Sequence, residues 1–545
     1  MHPQYSWNKI FPVRSIQLPY FRKFFIHSLA SNGLHCPSRP QLSFLQARIR
    51  RPAARLISTE TKEWIKHEVK VGLRYSILIT ATGFFLIVLA SGIQEEYRAR
   101  IYPTPDEWNW NTKIQFRAAK AREDSEDPWM KNWTAIGNSY KNVIRKLECA
   151  DLEGHRIQEQ SENMLEIPVE SEGRIGFDIS KNSESWRRGY YEVLMGLVRV
   201  AEELEHYVKD KTKVSYLVWS ADSVAGPSNP WPRPVPVGMA PPPRADDCTA
   251  AFETPEIFYK QILTTLGFSE KQKVDTAISY GLWLEFKGKP DSAQKIYKWA
   301  LDIANSESES GQAMVDPSTG IINNNLGPPS ENILASSTAL ALHFATNSKV
   351  ELALPIFISI LRARRSLPSP PDTMLSMLDS VEDKSESTLK KVSSFIWDLV
   401  KPPKYPPPPS DGCEPPYRDT KGLCEEAGVM LYIGEILFAS KKSKSNQVDG
   451  LAWTREAVDN SEAELRKKNI GLEAKKKCKQ CLEVGLQNWM IMVEKLAKEE
   501  AERSKSLNNN WLKFGYQKPV LGRWESEKEV IQDRLIRANS LLNEA

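Results

Sequence analysis

Apolar residues recur every three or four positions along most of the chain beyond residue 130, which is the spacing of amphipathic helices. The pattern predicts helices at 131–150, 186–209, 256–265, 270–287, 290–305, 331–346, 350–364, 423–439, 448–460 and 469–505. Alternation with period two is nearly absent; a short extended piece at 216–219 is expected to be too isolated to form a sheet. The predicted fold class is therefore all-α.

One segment near the N-terminus is apolar without any polar face. Residues 75–93 (YSILITATGFFLIVLASGI) carry no charge over about the 20 residues that a helix needs to cross a bilayer. A buried core helix is the alternative, but such a helix normally shows a polar side. We expect a transmembrane helix at 75–93, preceded by a short segment at 58–74 and followed by a juxtamembrane linker at 94–130.

Proline-dense stretches interrupt the helical pattern twice, at 227–243 (PSNPWPRPVPVGMAPPP) and at 401–417 (KPPKYPPPPSDGCEPPY). Proline is excluded from helix interiors, so both stretches should be extended loops. Two interpretations stay open: stiff connections between helices, or ligands for an aromatic groove of a partner. The Gly/Asn/Pro-rich stretch 316–329 should also be a loop, and 506–545 a C-terminal tail with one helix.

A repeated set of small and aromatic positions indicates helical hairpins of tetratricopeptide type. Gly281, Leu284, Ala293, Tyr297 and Ala300 stand at that repeat's spacing. Small residues allow two helices to cross closely, Leu284 supplies an apolar contact within the first helix, and Tyr297 fills the space between hairpins. The next unit has the same intervals at Ala341, Ala353, Phe357 and Ile360.

The repeat pattern predicts a tetratricopeptide-like helical solenoid over 131–505, the alternative being hairpins without that geometry. A weaker third copy has Gly450, Thr454 and Ala457 on its second helix. First helices of successive repeats usually line a concave binding surface. Ile278, Leu282 and Glu285 lie at such positions of the best repeat and are the candidate groove contacts. The long charged helix that ends at 505 should cap the array, with Trp489, Met490, Val493 and Leu496 facing inward.

Charge is distributed unevenly, although the net charge is only +4. No Asp or Glu precedes Glu60, whereas that stretch carries Lys9, Arg14, Arg22, Lys23, Arg39, Arg48, Arg50, Arg51 and Arg55. This composition predicts a mitochondrial transit peptide at 1–57 with cleavage near Ser58; the alternative is a basic cytosolic tail of a secretory-pathway protein. Lysines before the span and acidic residues after it place the N-terminal side in the matrix and the rest in the intermembrane space. The mildly acidic remainder does not favour nucleic-acid binding.

No catalytic motif is found. The chain lacks a Gly-rich phosphate loop, a G-x-S-x-G elbow and H-E-x-x-H. Beyond the span only three histidines remain, His155, His206 and His343, and two of them are expected as ordinary surface side chains. We therefore expect no catalytic residue, no cofactor-binding residue, no metal site and no cofactor; an enzyme with a helical fold would require a pocket of perturbed ionisable groups.

Cysteines are too sparse for a disulfide framework. Cys413 and Cys424 flank a proline-rich turn, so the sequence leaves open whether they form a bridge or remain thiols. Cys478 and Cys481 resemble half of a zinc or redox motif, but they lack a second pair and lie in a lysine-rich helix.

The combination of features resembles one family. A cleavable leader, one span, the run 101–108 (IYPTPDEW) and hairpins with interleaved proline-rich loops are similar to the fungal tetratricopeptide adaptor subunit of the mitochondrial i-AAA protease. The resemblance covers about residues 70–505. It implies a non-catalytic protein of the inner membrane whose partners are AAA protease subunits, a second adaptor subunit and unfolded substrate proteins. The alternative is a membrane-anchored assembly factor or scaffold for a respiratory or translocase complex.

Overall fold

The computed structural model describes residues 58–127, 130–160, 173–213, 217–236, 238–306, 313–371, 404–440, 444–467, 470–508 and 522–543. Over these ranges the chain is mostly helical, with little strand. The helices are α1 Thr59–Ile101, α2 Trp110–Glu123, α3 Trp133–Glu148, α4 Glu184–Leu204, α5 Pro255–Thr264, α6 Glu270–Phe286, α7 Pro290–Asn305, α8 Glu331–Thr346, α9 Val350–Arg365, α10 Thr420–Ala439, α11 Lys444–Leu465, α12 Leu472–Asn508 and α13 Arg523–Asn543. The predicted leader lies outside the described residues, apart from its boundary at Ser58.

Helix α1 is long and apolar enough to cross a membrane. Its most apolar window has a mean hydropathy of 2.2, and none of that window is buried inside the protein. The predicted span 75–93 lies within it, and side chains such as Phe84 and Ile87 are about two-thirds exposed. A helix satisfies its own backbone polar groups, so α1 needs only an apolar surrounding to cover these side chains.

The chain divides into two compact units at the Gly92–Ile93 boundary. In the second unit each helix from α2 to α13 packs against the next one in sequence. In addition, α6 contacts α8 and α10 contacts α12, so helices two apart in sequence also lie side by side. Three hairpins, α6–α7, α8–α9 and α10–α11, form the middle of this unit.

Two clusters of buried apolar side chains hold the second unit together. The larger runs from Trp108 through the hairpins to Ala457, and the smaller joins α10 to α13 around Leu482 and Trp489. Of the four residues predicted to face inward on α12, Trp489, Val493 and Leu496 are buried, and Met490 packs partly buried against the smaller cluster.

The structure corrects the expectation that no sheet forms. Helix α4 ends at Leu204 rather than near 209, and β1 Tyr207–Asp210 follows it. This strand pairs antiparallel with β2 Trp219–Ser220 on one side and β3 Cys248–Ala250 on the other. The predicted extended piece thus belongs to a three-stranded sheet, because it pairs with 207–210, which pairs in turn with 248–250 beyond the proline-rich loop.

Within the stretch expected as a linker, 94–130, the described residues belong to the second compact unit. The stretch contains the end of α1 and the whole of α2, which buries Phe116 against Trp108 in an edge-to-face contact with ring centroids 5.5 Å apart. Arg117 of α2 also forms an ion pair of 3.1 Å with Glu95. Aromatic burial therefore places this segment in the core. The predicted helix in the C-terminal tail is present as α13.

Candidate protein-binding groove

Side chains from five helices line an open groove of about 580 Å³. Helices α8, α10 and α12 provide most of it, while α6 contributes Ile278 and α9 contributes Arg364. The lining residues include Ile278, Leu342, Val429, Tyr432, Glu435 and Val484. Helices α6, α8 and α10 are the first helices of successive hairpins, so the groove crosses the hairpins rather than lying within one of them.

Helix caps fix where each lining helix starts. Ser269 and Gln272 form a capping box at α6, in which each side chain bonds the other residue's backbone N–H. At α8 the hydroxyl of Ser330 accepts from the backbone N–H of Ile333, and at α10 Asp419 accepts from Gly422. Residues three, four or seven positions apart then share one face of each helix.

The floor of the groove is apolar. Val429 and Leu431 are buried, Ile278 is partly buried, and Val484 is 44% exposed. Tyr432 is held by Phe357 of α9 in a stacked contact with ring centroids 5.3 Å apart. Such a surface can bury apolar side chains of another protein chain.

Charged side chains stand at the edge of the groove. Arg364 and Glu425 form an ion pair of 2.7 Å, and Lys477 lies on α12 close by. Burial raises the pKa of the Glu435 carboxyl, while a hydrogen bond donated by Asn488 lowers this pKa by a smaller amount. The groove therefore offers both signs of charge around an apolar floor.

The three predicted groove contacts have different surroundings. Ile278 lines the groove. Leu282 follows one turn later on α6 and is 50% exposed. Glu285 bonds His343 of α8, with 2.5 Å between Oε1 and Nδ1. His343 is 1% exposed, and no sequence signal marked it as a partner of Glu285.

The residues predicted to pack the hairpins are buried, and the set is Gly281, Leu284, Ala293, Tyr297, Ala300, Ala341, Ala353 and Phe357. A Cβ atom on Gly281 would lie 2.6 Å from the ring of Tyr297, so α6 and α7 can cross this closely only with glycine there. Tyr297 also contacts the ring of His343 in the next hairpin, at 5.4 Å between centroids. In the third copy, Gly450, Thr454 and Ala457 lie on buried positions of α11.

A disulfide joins Cys424 of α10 to Cys478 of α12. The bridge considered between Cys413 and Cys424 is thus wrong, because Cys424 lies in the core with Cys478 as its partner 54 residues away. Cys481 lies beside them, its thiol 3.1 Å from the carbonyl oxygen of Cys424, and burial raises its pKa. Cys478 and Cys481 are therefore not a paired Cys-x-x-Cys site.

The second proline-rich stretch lies against the protein's own helices. Arg188 of α4 donates hydrogen bonds to the carbonyl oxygens of Pro406 and Pro407, at 2.6 and 2.9 Å. Asn332 of α8 donates to the carbonyl oxygen of Asp411 at 2.9 Å. The described part of the stretch, 404–417, is thus an extended loop, as predicted, and it is fixed at two points. The first proline-rich stretch exposes Trp231, which is 90% accessible.

Over the described ranges, no group of three or more His, Cys, Asp or Glu side chains is arranged to hold a metal ion. The groove itself is lined by apolar and charged side chains. Comparison with protein-family models, with curated proteins and with solved structures finds no match to this chain.

Proposed function

We propose that this protein is a membrane-anchored, tetratricopeptide-type adaptor that binds unfolded or misassembled proteins and delivers them to a mitochondrial inner-membrane AAA protease. The observation that carries the proposal is the groove, because most of its lining comes from α8 and α10, the first helices of successive hairpins, with Ile278 added from α6. Repeat proteins use such surfaces to bind extended chains. The adaptor itself performs no chemistry.

The repeat assignment draws support from the packing of α6, α7 and α8. Gly281 permits the close crossing within one hairpin, and Tyr297 reaches from that hairpin to His343 in the next. Ala341, Ala353 and Phe357 occupy buried positions at the same intervals in the following hairpin. Equal intervals with equal burial are what a tetratricopeptide array requires.

The proposed compartment is the mitochondrial intermembrane space, with α1 in the inner membrane. The apolar window of α1 supports the anchor, and the acid-free N-terminal composition supports mitochondrial import. The disulfide between Cys424 and Cys478 supports a location outside the reducing matrix and cytosol, since disulfides persist in oxidising compartments.

The choice of an AAA protease as the partner rests on the resemblance drawn from the run 101–108, the span and the hairpins. Anchoring raises the local concentration of the groove beside a membrane-bound protease, so weak binding of each substrate suffices. The mixed charge and apolar floor of the groove suit unfolded chains of varied sequence better than one fixed ligand.

Site-specific photo-crosslinking in intact mitochondria tests the proposal. A photoreactive amino acid replaces Leu342 or Val484 in the groove, and Leu152 serves as the matched exposed control outside it. Adducts with AAA protease subunits, a second adaptor subunit and misfolded proteins are expected from the groove positions. Adducts confined to respiratory or translocase subunits would instead establish the assembly factor, and equal labelling at Leu152 would reject the groove.

A further inference from the structure

Residues 404–414, here called the proline strap, cross the first turns of three helices in succession. Tyr405 lies at Arg188 of α4, with the guanidinium 4.3 Å from the ring centroid. Pro408 and Pro409 lie beside the start of α6. At the far end, the backbone N–H of Asn332 in α8 donates to the carbonyl oxygen of Gly412 at 3.1 Å.

The strap is recognised through its backbone. Arg188 is 9% exposed and directs two nitrogens at consecutive proline carbonyls, while those prolines keep their rings exposed. Proline fixes the extended conformation that presents successive carbonyl oxygens outward. A peptide of different side chains but equal backbone shape would meet the same donors.

The second side chain that holds the strap, Asn332, is also buried. Asn332 is 2% exposed, and its amide group donates both to Asp411 and, at 2.8 Å, to Glu270 of α6. The carboxylate of Glu270 thereby holds the amide in position. Gly412 has a φ of +72°, and a Cβ there would lie 2.2 Å from Oδ1 of Asn332. The strap thus carries an aromatic residue at one end and requires glycine at the other.

The strap and the groove share one continuous surface. On α6, Lys271 and Asp275 lie beside the strap, and Ile278 follows on the same face in the groove. On α8, Asn332 holds the strap, and Ala335 and Leu342 follow in the groove. The strap therefore covers the N-terminal part of a face whose remaining part is open.

The strap does not fill the space it crosses. A cavity of about 440 Å³ remains around Tyr405, next to Tyr191 and Met195. A second of about 560 Å³ remains around Pro408 and Pro409. The strap is thus held by a few backbone hydrogen bonds and one stacked ring, and the surface around it has room for a longer peptide.

We propose that this surface is a binding site for extended, proline-containing peptides led by an aromatic residue, and that the proline strap occupies it as an internal competitor. The proposal rests on the proposed function, since it names the class of chain that the groove face accepts. A tethered segment has an effective concentration on the order of millimolar, so an external peptide must displace the strap to bind.

Fluorescence anisotropy with a synthetic strap peptide tests this proposal. The probe is a labelled peptide of residues 404–414 carrying Cys413→Ser, and the protein is the full chain in detergent micelles. One variant replaces 405–411 by a Gly/Ser sequence of equal length. We expect this variant to bind the probe at least about tenfold more tightly than the intact chain. Equal affinity of both proteins, or no binding by either, would overturn the proposal.

A control within the variant identifies the site. Adding Arg188→Lys to the strap-replaced chain keeps the positive charge but removes the two guanidinium nitrogens that donate to consecutive carbonyl oxygens. The affinity for the probe should therefore fall about tenfold. An unchanged affinity would contradict the assignment of the site. A Gly/Ser peptide of equal length is the control probe, and binding as tight as that of the strap peptide would argue against recognition of extended proline.

Limited trypsin digestion provides a second readout in the intact chain. The single substitution Arg188→Lys should release the strap and accelerate cleavage after Lys404, measured by mass spectrometry of the new end at Tyr405. Unchanged cleavage would count against the strap as a displaceable ligand. These readouts separate the two proposals. If the probe exchanges with the strap but no crosslinks to a protease form, the peptide site stands and the adaptor role is rejected. If crosslinks to a protease form but the probe does not exchange, the adaptor role stands and the strap is rejected as a competitor.

Discussion

The imidazole of His343 and the carboxylate of Glu285 connect two neighbouring hairpins, with 2.5 Å between Nδ1 and Oε1. His343 is 1% exposed, whereas Glu285 lies at the surface end of the pair. The contact joins α6 to α8 directly.

Replacing His343 by Ala should destabilise the folded unit by about 1–3 kcal/mol, because the buried contact with Glu285 is lost and a cavity is left beside Tyr297. Thermal unfolding of the full chain in detergent measures this loss. His155→Ala, at an exposed position, is the control and should leave the transition unchanged. Equal melting of the two variants would show that the pair contributes nothing.

Gly281→Ala should destabilise the α6–α7 hairpin by about 1–3 kcal/mol, since the new methyl group would lie 2.6 Å from the ring of Tyr297. Denaturant unfolding followed by circular dichroism measures the change. Gly471→Ala is a matched control, because a Cβ there meets no atom within 4 Å. If the two substitutions have the same effect, the close crossing is not needed.

Reduction of the Cys424–Cys478 disulfide should lower the stability of the second unit by about 2–4 kcal/mol, since the bond closes a loop of 54 residues in the unfolded chain. Melting with and without dithiothreitol measures this, and the double substitution Cys424→Ser, Cys478→Ser should abolish the difference. A reductant effect that persists in the double variant would assign it to other cysteines.

Leu86→Arg should impair membrane retention, because a charge in the middle of a span costs about 2.5–3.5 kcal/mol on insertion scales. Carbonate extraction of the membrane fraction separates retained from released protein. Leu152→Arg, at a position 55% exposed in the second unit, is the control and should remain in the membrane fraction. Release of both variants, or of neither, would speak against α1 as the anchor.

Glu435→Gln should stabilise the protein more at pH 7.5 than at pH 4. Burial raises the pKa of Glu435 in the folded state above its unfolded value near 4.5. A raised carboxyl pKa favours the protonated form, so the contribution to stability is full below the unfolded pKa and is lost as the pH rises through the folded pKa. The neutral amide avoids that loss while still accepting from Asn488. Melting temperatures of both proteins across this pH range provide the measurement, and a constant difference would refute the shift.

Sequence alone predicted the helices with clear three/four spacing, such as α6 to α9, because burial of one face leaves a strong pattern. It missed α2, whose alternating charges hide the buried Phe116. It extended α4 through Tyr207, because the four residues of β1 continue the apolar spacing of the helix. Only the sheet partners of β1 reveal that these residues form a strand.

The groove was only partly predictable. Ile278 follows from its position in the repeat, but the partners of Glu285 and Cys424 lie 58 and 54 residues away, and local spacing carries no signal for such contacts. Arg188 and Asn332 were missed for the same reason. Both side chains contact the proline strap, which lies more than 200 residues beyond Arg188 in the sequence.

The four consecutive prolines Pro406 to Pro409 have a consequence for solubility. Extended backbone at a surface normally offers amide hydrogens to which another extended chain can add as a strand. Proline has no amide hydrogen, so this stretch cannot template such an addition. The protein thereby carries an exposed extended segment that offers no amide hydrogens to an unfolded chain over these four residues.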